Sequence, residues 1–339
     1  MSARQPPMGA SGNGSATAAS EERRTVPGRT DGRRRRRDRG VMVPEAEFRS
    51  YYGRPILKDP AWTLEVPWYF FAGGLAGASA PLAVAARITG NQRLASSALT
   101  AAGAGIAASV PLLVSDLGRP ERFHHMLRVF KPTSPMSIGS WALAAMGPAA
   151  VGAAVSDRLG ILPGLGRLAE VVSGVIGPSL CTYTGALVAN TAVPVWHEAG
   201  RELPVVFAGS ALASAGAAST VLTPAADAGP ARRLAVVGAL VELGAVGAME
   251  RRLGELAEPY HQGPAGRYAK LARGCTLAGA AAVAAGGTRR RWAAVAGSGL
   301  LLAGSALERL AVYKAGFQSA RDPKYVVKPQ REEAEATSG

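Results

Sequence analysis

Long apolar stretches separated by short charged connections fill the chain between residues 67 and 311. A helix that crosses a bilayer needs about 20 mostly apolar residues, because unpaired backbone groups cannot face lipid. Eight stretches meet that requirement, at 67–88, 94–115, 136–156, 171–195, 204–222, 232–250, 268–287 and 292–311. They predict an all-α fold, a polytopic membrane protein of about eight transmembrane helices. The domain plan that follows is a disordered basic tail and pre-membrane segment at 1–60, a transmembrane domain at 61–315, and a polar C-terminal tail at 316–339.

Several of these stretches consist largely of Ala, Gly, Ser and Val, as at 101–109. Small residues let helix backbones approach where lipid gives no hydrophobic drive to associate. Gly73, Gly74 and Gly77 place such spacing in the first helix. Between the second and third helices, Phe123, Met126, Leu127 and Phe130 recur at helical spacing among basic residues. That pattern predicts a short amphipathic segment along the membrane interface.

Composition sharpens this picture without changing it. Hydrophobic residues make up 48% of the chain and charged residues 18%, with a net charge of +14. Mean hydropathy is only +0.10, because charge is segregated to the ends. Thirteen of the 38 basic residues precede Pro60, including Arg33 to Arg37, in a segment poor in aromatics. A tail of this kind touches anionic lipid and fixes topology, and does not point to nucleic acid. With the N-terminus inside, Lys and Arg number 26 on inner segments against 9 on outer loops, or 13 against 9 without the tail. The positive-inside rule then predicts cytoplasmic N- and C-termini in the cell (plasma) membrane. Residues 1–40 lack the apolar core of a cleavable signal peptide.

Cofactor-binding motifs are missing from the sequence. Cys181 and Cys275 are isolated in apolar segments, so neither a disulfide framework nor a metal cluster is expected. His124, His125, His197 and His261 all fall in connections, which leaves no mid-membrane pair of axial ligands and predicts no bound haem. A lone acidic residue, Glu242, lies midway along the sixth stretch, where it is either a proton relay or a protonated packing residue. Glu250 and Glu308 sit near predicted helix ends and are expected at the interface.

Two motifs bracket the long second connection: Asp116-Leu117-Gly118-Arg119-Pro120 and Pro132-Thr133-Ser134-Pro135-Met136. With Pro67-Trp68-Tyr69-Phe70-Phe71, Tyr183-Thr184-Gly185, Asn190 and Pro194-Val195-Trp196, the chain resembles the NrfD/PsrC family over about residues 50–320. These are the polysulfide reductase-like membrane subunits of molybdoenzyme complexes. The resemblance implies two four-helix bundles and a site for exchangeable menaquinone or menaquinol near the end that faces an iron-sulfur subunit. It also implies two partners, a ferredoxin-like iron-sulfur subunit and a molybdopterin catalytic subunit, which carry the clusters and the pterin. The chain alone is then non-catalytic.

In these relatives a His and an Asn near the start of helix one and a Tyr in helix four contact the quinone. Here Tyr69 stands at the His, Val66 at the Asn, and Tyr183 at the Tyr. Quinol oxidation also needs a proton acceptor, a task Tyr performs poorly near neutral pH. The expected quinone-binding set is therefore Tyr69, Tyr183, Trp68 and Glu65, with Trp68 and Tyr69 equally readable as an interfacial aromatic belt. Asp116, Arg119 and Glu242 are candidates for proton transfer or partner docking, the first two also for locking their turn. A scaffold without quinone chemistry and a secondary transporter are the competing readings.

Overall fold

The computed structural model describes residues 56–117, 119–286 and 290–328. The basic run Arg33–Arg37, with the rest of residues 1–55 of the expected N-terminal segment, lies outside them. Among the described residues every regular element is helical: α1 (Glu65–Ile88), α2 (Gln92–Ser115), α3 (Pro135–Leu159), α4 (Pro163–Ala189), the five-residue α5 (Pro194–Glu198), α6 (Leu203–Leu222), α7 (Gly229–Leu253), α8 (Gly263–Gly286) and α9 (Arg291–Arg321). Two 3-10 segments, Pro120–Leu127 and Gly254–Tyr260, join α2 to α3 and α7 to α8.

Local chemistry sets the helix ends. The Asn91 side chain accepts from the Leu94 N–H and caps α2, and Ser134 does the same for α3 through the Ser137 N–H, with Pro135 at the first helical position. Gly160 closes α3 at a φ of 68°, which glycine adopts without cost. α1, α2, α3, α4, α6 and α9 are long and apolar enough to cross a membrane, so the chain is a multi-pass membrane protein. α7 and α8, of 25 and 24 residues, match them in length but carry more charge, including Arg232, Arg233, Arg267, Lys270 and Arg273.

α1 packs on α2 and α4, and α3 packs on both α2 and α4. In the second half α6 packs on α7 and α9, and α8 packs on both α7 and α9. The halves meet where α6 and α9 lie against α1 and α6 lies against α4. Close approach replaces side-chain bulk at the α1–α4 crossing: a Cβ on Gly77 would lie 2.7 Å from the Gly177 carbonyl oxygen.

Two sequence boundaries shift. The fourth helix begins at Pro163, not 171, and ends at Ala189, where Asn190 precedes the separate turn α5. Its early start brings Glu170 inside the membrane domain, where Arg87 Nε bonds both carboxylate oxygens at 2.9 Å and Arg87 Nη2 reaches Asp157 at 2.8 Å. This cluster ties α1, α3 and α4 together at the end opposite the α2–α3 connection. The last helix continues ten residues beyond 311, because a helical backbone needs no apolar side chains when its polar ones are buried among partners. Glu308 therefore lies inside the bundle at 3% exposure, not at the interface. Beyond α9 a helical turn at 324–328 returns to the 254–260 segment through Lys324–Glu258 and Lys328–Glu255 contacts of 2.5 and 2.6 Å.

Candidate functional site

The segment before α1 is clamped over the end of the first four helices. Asp116, at the C-terminus of α2, accepts from Thr63 N and Thr63 Oγ1 on the same oxygen, at 2.9 and 2.7 Å. The Tyr313 hydroxyl donates to the Trp62 carbonyl at 2.7 Å, and the Trp62 ring stacks on Trp196, with centroids 5.1 Å apart. Trp196 is held in turn by its Nε1–H, which donates to the Val312 carbonyl at 2.7 Å. The Asp116 carboxylate thus ties the end of α2 to the segment that leads into α1.

Beneath the clamp lies a cavity of about 80 Å³. α1 contributes Val66, Tyr69 and Phe70; α2 and its end contribute Leu113, Asp116 and Leu117; α3 contributes Met136 and Ser140; and α4 contributes Tyr183 and Leu187, with Trp62 and Met126 completing the wall. Three of the residues singled out from the sequence, Tyr69, Asp116 and Tyr183, therefore meet at one space. Tyr69 and Tyr183 are buried, at 3% and 9% exposure.

Gly139 is what lets Tyr183 reach this position. A Cβ there would overlap the tyrosine ring, with Cδ2 at 2.5 Å and Cζ at 2.7 Å. The surrounding motif fixes the start of α3: Ser137 Oγ donates to the Val129 carbonyl at 3.1 Å and accepts from Lys131 N at 3.0 Å. The Thr-Ser-Pro-Met block is thus a helix start that sets Gly139 and Ser140 against the cavity.

A second space of about 550 Å³ opens between α2 and α3 and is roofed by Phe123, Met126 and Leu127 of the 3-10 segment. Its walls are apolar but for the Ser140 hydroxyl, which is spent on the Met136 carbonyl at 2.8 Å. Pro111 and Pro148 both line it, together with Ala107 and Ala144, the residues one helical turn earlier whose carbonyls lose their partner to each proline. Each proline removes one backbone N–H from its helix beside the groove, and Gly147 adds no side chain to fill it. The two spaces share Leu113, Met126 and Ser140. Of the connection's four apolar residues, Phe123, Met126 and Leu127 cover the groove from a 3-10 turn, whereas Phe130 lies beyond that turn, exposed, with its ring edge-on to Trp141.

The remaining candidates lie elsewhere. Trp68 points outward at 46% exposure, and Glu65 is half-buried; neither lines the cavity. Arg119 is exposed at the start of the 3-10 segment. Glu242 is buried on α7, at 2% exposure, within the other set of helices. Sequence reading missed Trp62 and Ser140, which carry no motif signal of their own. It also missed Arg309, at 1% exposure the most deeply buried cation described, which falls at the ragged end of an apolar run. Among the described residues no group of His, Cys, Asp and Glu is arranged to hold a metal ion.

A family model described as "Polysulphide reductase, NrfD" matches residues 58–257, more than half of the chain, and the chain belongs to that family. No curated protein matches it.

Proposed function

We propose that this NrfD-family chain, a membrane subunit of an oxidoreductase complex, binds menaquinol or menaquinone in the cavity beneath Trp62, with the isoprenoid chain lying in the α2–α3 groove. The observation that carries this reading is that the two spaces are neighbours with a common wall of Leu113, Met126 and Ser140. A small chamber lined by two buried tyrosines and a carboxylate, set beside a larger apolar groove, matches an amphiphile with a polar ring and a hydrocarbon tail. The chamber is smaller than a bicyclic ring. Met126 and Met136, unbranched and easily repacked, are the side chains that move aside.

In this arrangement the hydroxyls of Tyr69 and Tyr183 hydrogen-bond the two ring oxygens, and Asp116 takes a proton on Oδ2 while Oδ1 stays on Thr63. Oxidation of a quinol releases two protons and two electrons. The electrons leave to a ferredoxin-like iron-sulfur subunit docked over the Asp116–Arg119 turn, and from there to a molybdopterin subunit. The exposed Arg119 belongs to that docking face. The excess of Lys and Arg on the connections at this end supports cytoplasmic termini in the cell membrane, and so a cytoplasmic partner. The closed packing order of α1–α4 and of α6–α9 supports eight spans in two four-helix bundles.

Binding of a short-chain menaquinone analogue to the purified chain tests the reading. Tyr183→Phe, which deletes one neutral hydrogen bond worth about 0.5–1.5 kcal/mol, weakens binding about two- to tenfold and slows quinol-dependent turnover of the assembled complex. Wild-type protein that binds no quinone makes the chain a scaffold instead.

A further inference from the structure

The second set of helices buries two carboxylates and one guanidinium in a single cluster. Glu242 comes from α7, and Glu308 and Arg309 from α9, at 2%, 3% and 1% exposure. Arg309 lies within electrostatic reach of both carboxylates. Its Nη2 donates to the Phe207 carbonyl at 3.0 Å, and its carbon centre sits 4.0 Å above the Phe207 ring. Nε and Nη1 have no hydrogen-bond partner, and neither does Glu242 Oε2. Glu242 Oε1 receives the Thr276 hydroxyl from α8 at 3.3 Å, and Ser210 approaches from α6.

Other groups reach the cluster from the elements packed around it. Cys181 on α4 faces Arg309. Arg273 on α8 acts on Glu308 but is already ion-paired with Glu250. Tyr260, from the 3-10 segment, is buried with its hydroxyl unpartnered and lies within electrostatic reach of both Glu308 and Glu250. Glu250 in turn lies 3.9 Å from the half-exposed His261.

Charge decides the resting state. With both carboxylates ionised the cluster carries one uncompensated negative charge inside the membrane domain, and one added proton makes it neutral. We propose that Glu242 and Glu308 share one exchangeable proton around Arg309, a membrane-embedded protonation site that communicates with the 254–262 face through Tyr260 and Glu250. The unpartnered Glu242 Oε2 is the place where a proton is received, and the free N–H groups of Arg309 can donate to a water that carries one. The site is built on α6–α9 and stands independently of the quinone reading.

Infrared spectroscopy of the resting full-length chain in lipid nanodiscs tests it without any quinone. A deuterium-sensitive carboxylic-acid carbonyl band is expected at neutral pH. Glu242→Gln or Glu308→Gln alone removes it, since either change leaves one carboxylate against one guanidinium. No such band in the wild type, or a band that persists in both variants, overturns the proposal. Should neither variant accumulate, Thr276→Val strips one hydrogen bond from Glu242 and moves the wild-type band to higher frequency; an unmoved band has the same adverse meaning. For the route, Tyr260→Phe keeps the band but slows its deuterium exchange by about a hundredfold, as loss of a proton-transferring group does. Unchanged exchange removes Tyr260 and Glu250 from the path.

Discussion

Gly139→Ala adds one methyl group at the point where α3 touches the Tyr183 ring, and the structure lets its cost be worked out. The new Cβ would stand 2.5 Å from Cδ2 and 2.7 Å from Cζ, against an ordinary carbon separation of about 3.5–4.0 Å. A gap of about 1 Å or more must open. The α3 backbone resists, because Ser134 caps it and Ser137 is bonded on both sides just before Gly139. The ring therefore swings into the cavity it lines. Overpacking of this kind costs about 1–3 kcal/mol of stability. Turnover falls further than stability does, because a reacting partner misplaced by about 1 Å can lose about a hundredfold in rate. Quinol-dependent turnover of the assembled complex and detergent-resistant yield of the subunit are the two readings. In a Tyr183→Ala background the obstacle is gone, so adding Gly139→Ala costs little more. Full turnover in Gly139→Ala, or equal costs in both backgrounds, refutes the contact and Tyr183's place at the site.

Two further outcomes concern regions away from the cavity. Arg87→Met leaves Glu170 and Asp157 without their shared cation, and breaking such a buried pair costs about 3–5 kcal/mol. Denaturant unfolding of the detergent-solubilised chain measures it, and a loss under about 1 kcal/mol would show the cluster to be idle. The Glu258 carboxyl is held below its ordinary value by the Lys324 hydrogen bond, then by the Tyr325 hydroxyl, so its contribution is present above the usual carboxylate range and is lost as pH falls through the lowered value. Amide hydrogen exchange at 324–328, corrected for intrinsic rate, stays flat from about pH 6 to 8 and quickens below about pH 4. Glu258→Gln makes exchange fast throughout, and a pH profile like that of the wild type contradicts the tether.

The periodicity of a single helix explains which candidates the sequence could and could not place. Glu65, Trp68 and Tyr69 occur within five residues, but each step along a helix turns the side chain by about 100°, so Tyr69 enters the cavity while Trp68 faces outward. A motif names a neighbourhood; only the helix phase selects among its members. Asp116 and Tyr183 reach the same cavity, one from a helix end and the other across a glycine contact. Hydropathy failed in the opposite way at the end of the chain. Glu308, Arg309 and Lys314 stop an apolar window, yet α9 runs on to Arg321 with the first two buried. The charge that looked like a boundary is the content of the second half.

Between the two polar places the structure sets a file of rings. Tyr69 and Phe70 lie 5.7 Å apart, Phe70 and Phe207 lie 5.8 Å apart, and Phe207 carries the Arg309 guanidinium on its face. Gly74, one turn beyond Phe70, faces that guanidinium, and a Cβ there would be in ordinary contact with it at 3.6 Å. Such packing does not by itself establish coupling. It does place a buried cation against the same helix that carries Tyr69, so a single side chain lies between the Glu242–Glu308 pair and α1. Phe207→Leu keeps the apolar volume roughly constant while removing the ring under Arg309. If the two places act together, this substitution alters both the carboxylic-acid band and quinone affinity. A change confined to one of them separates the cavity in α1–α4 from the proton site in α6–α9.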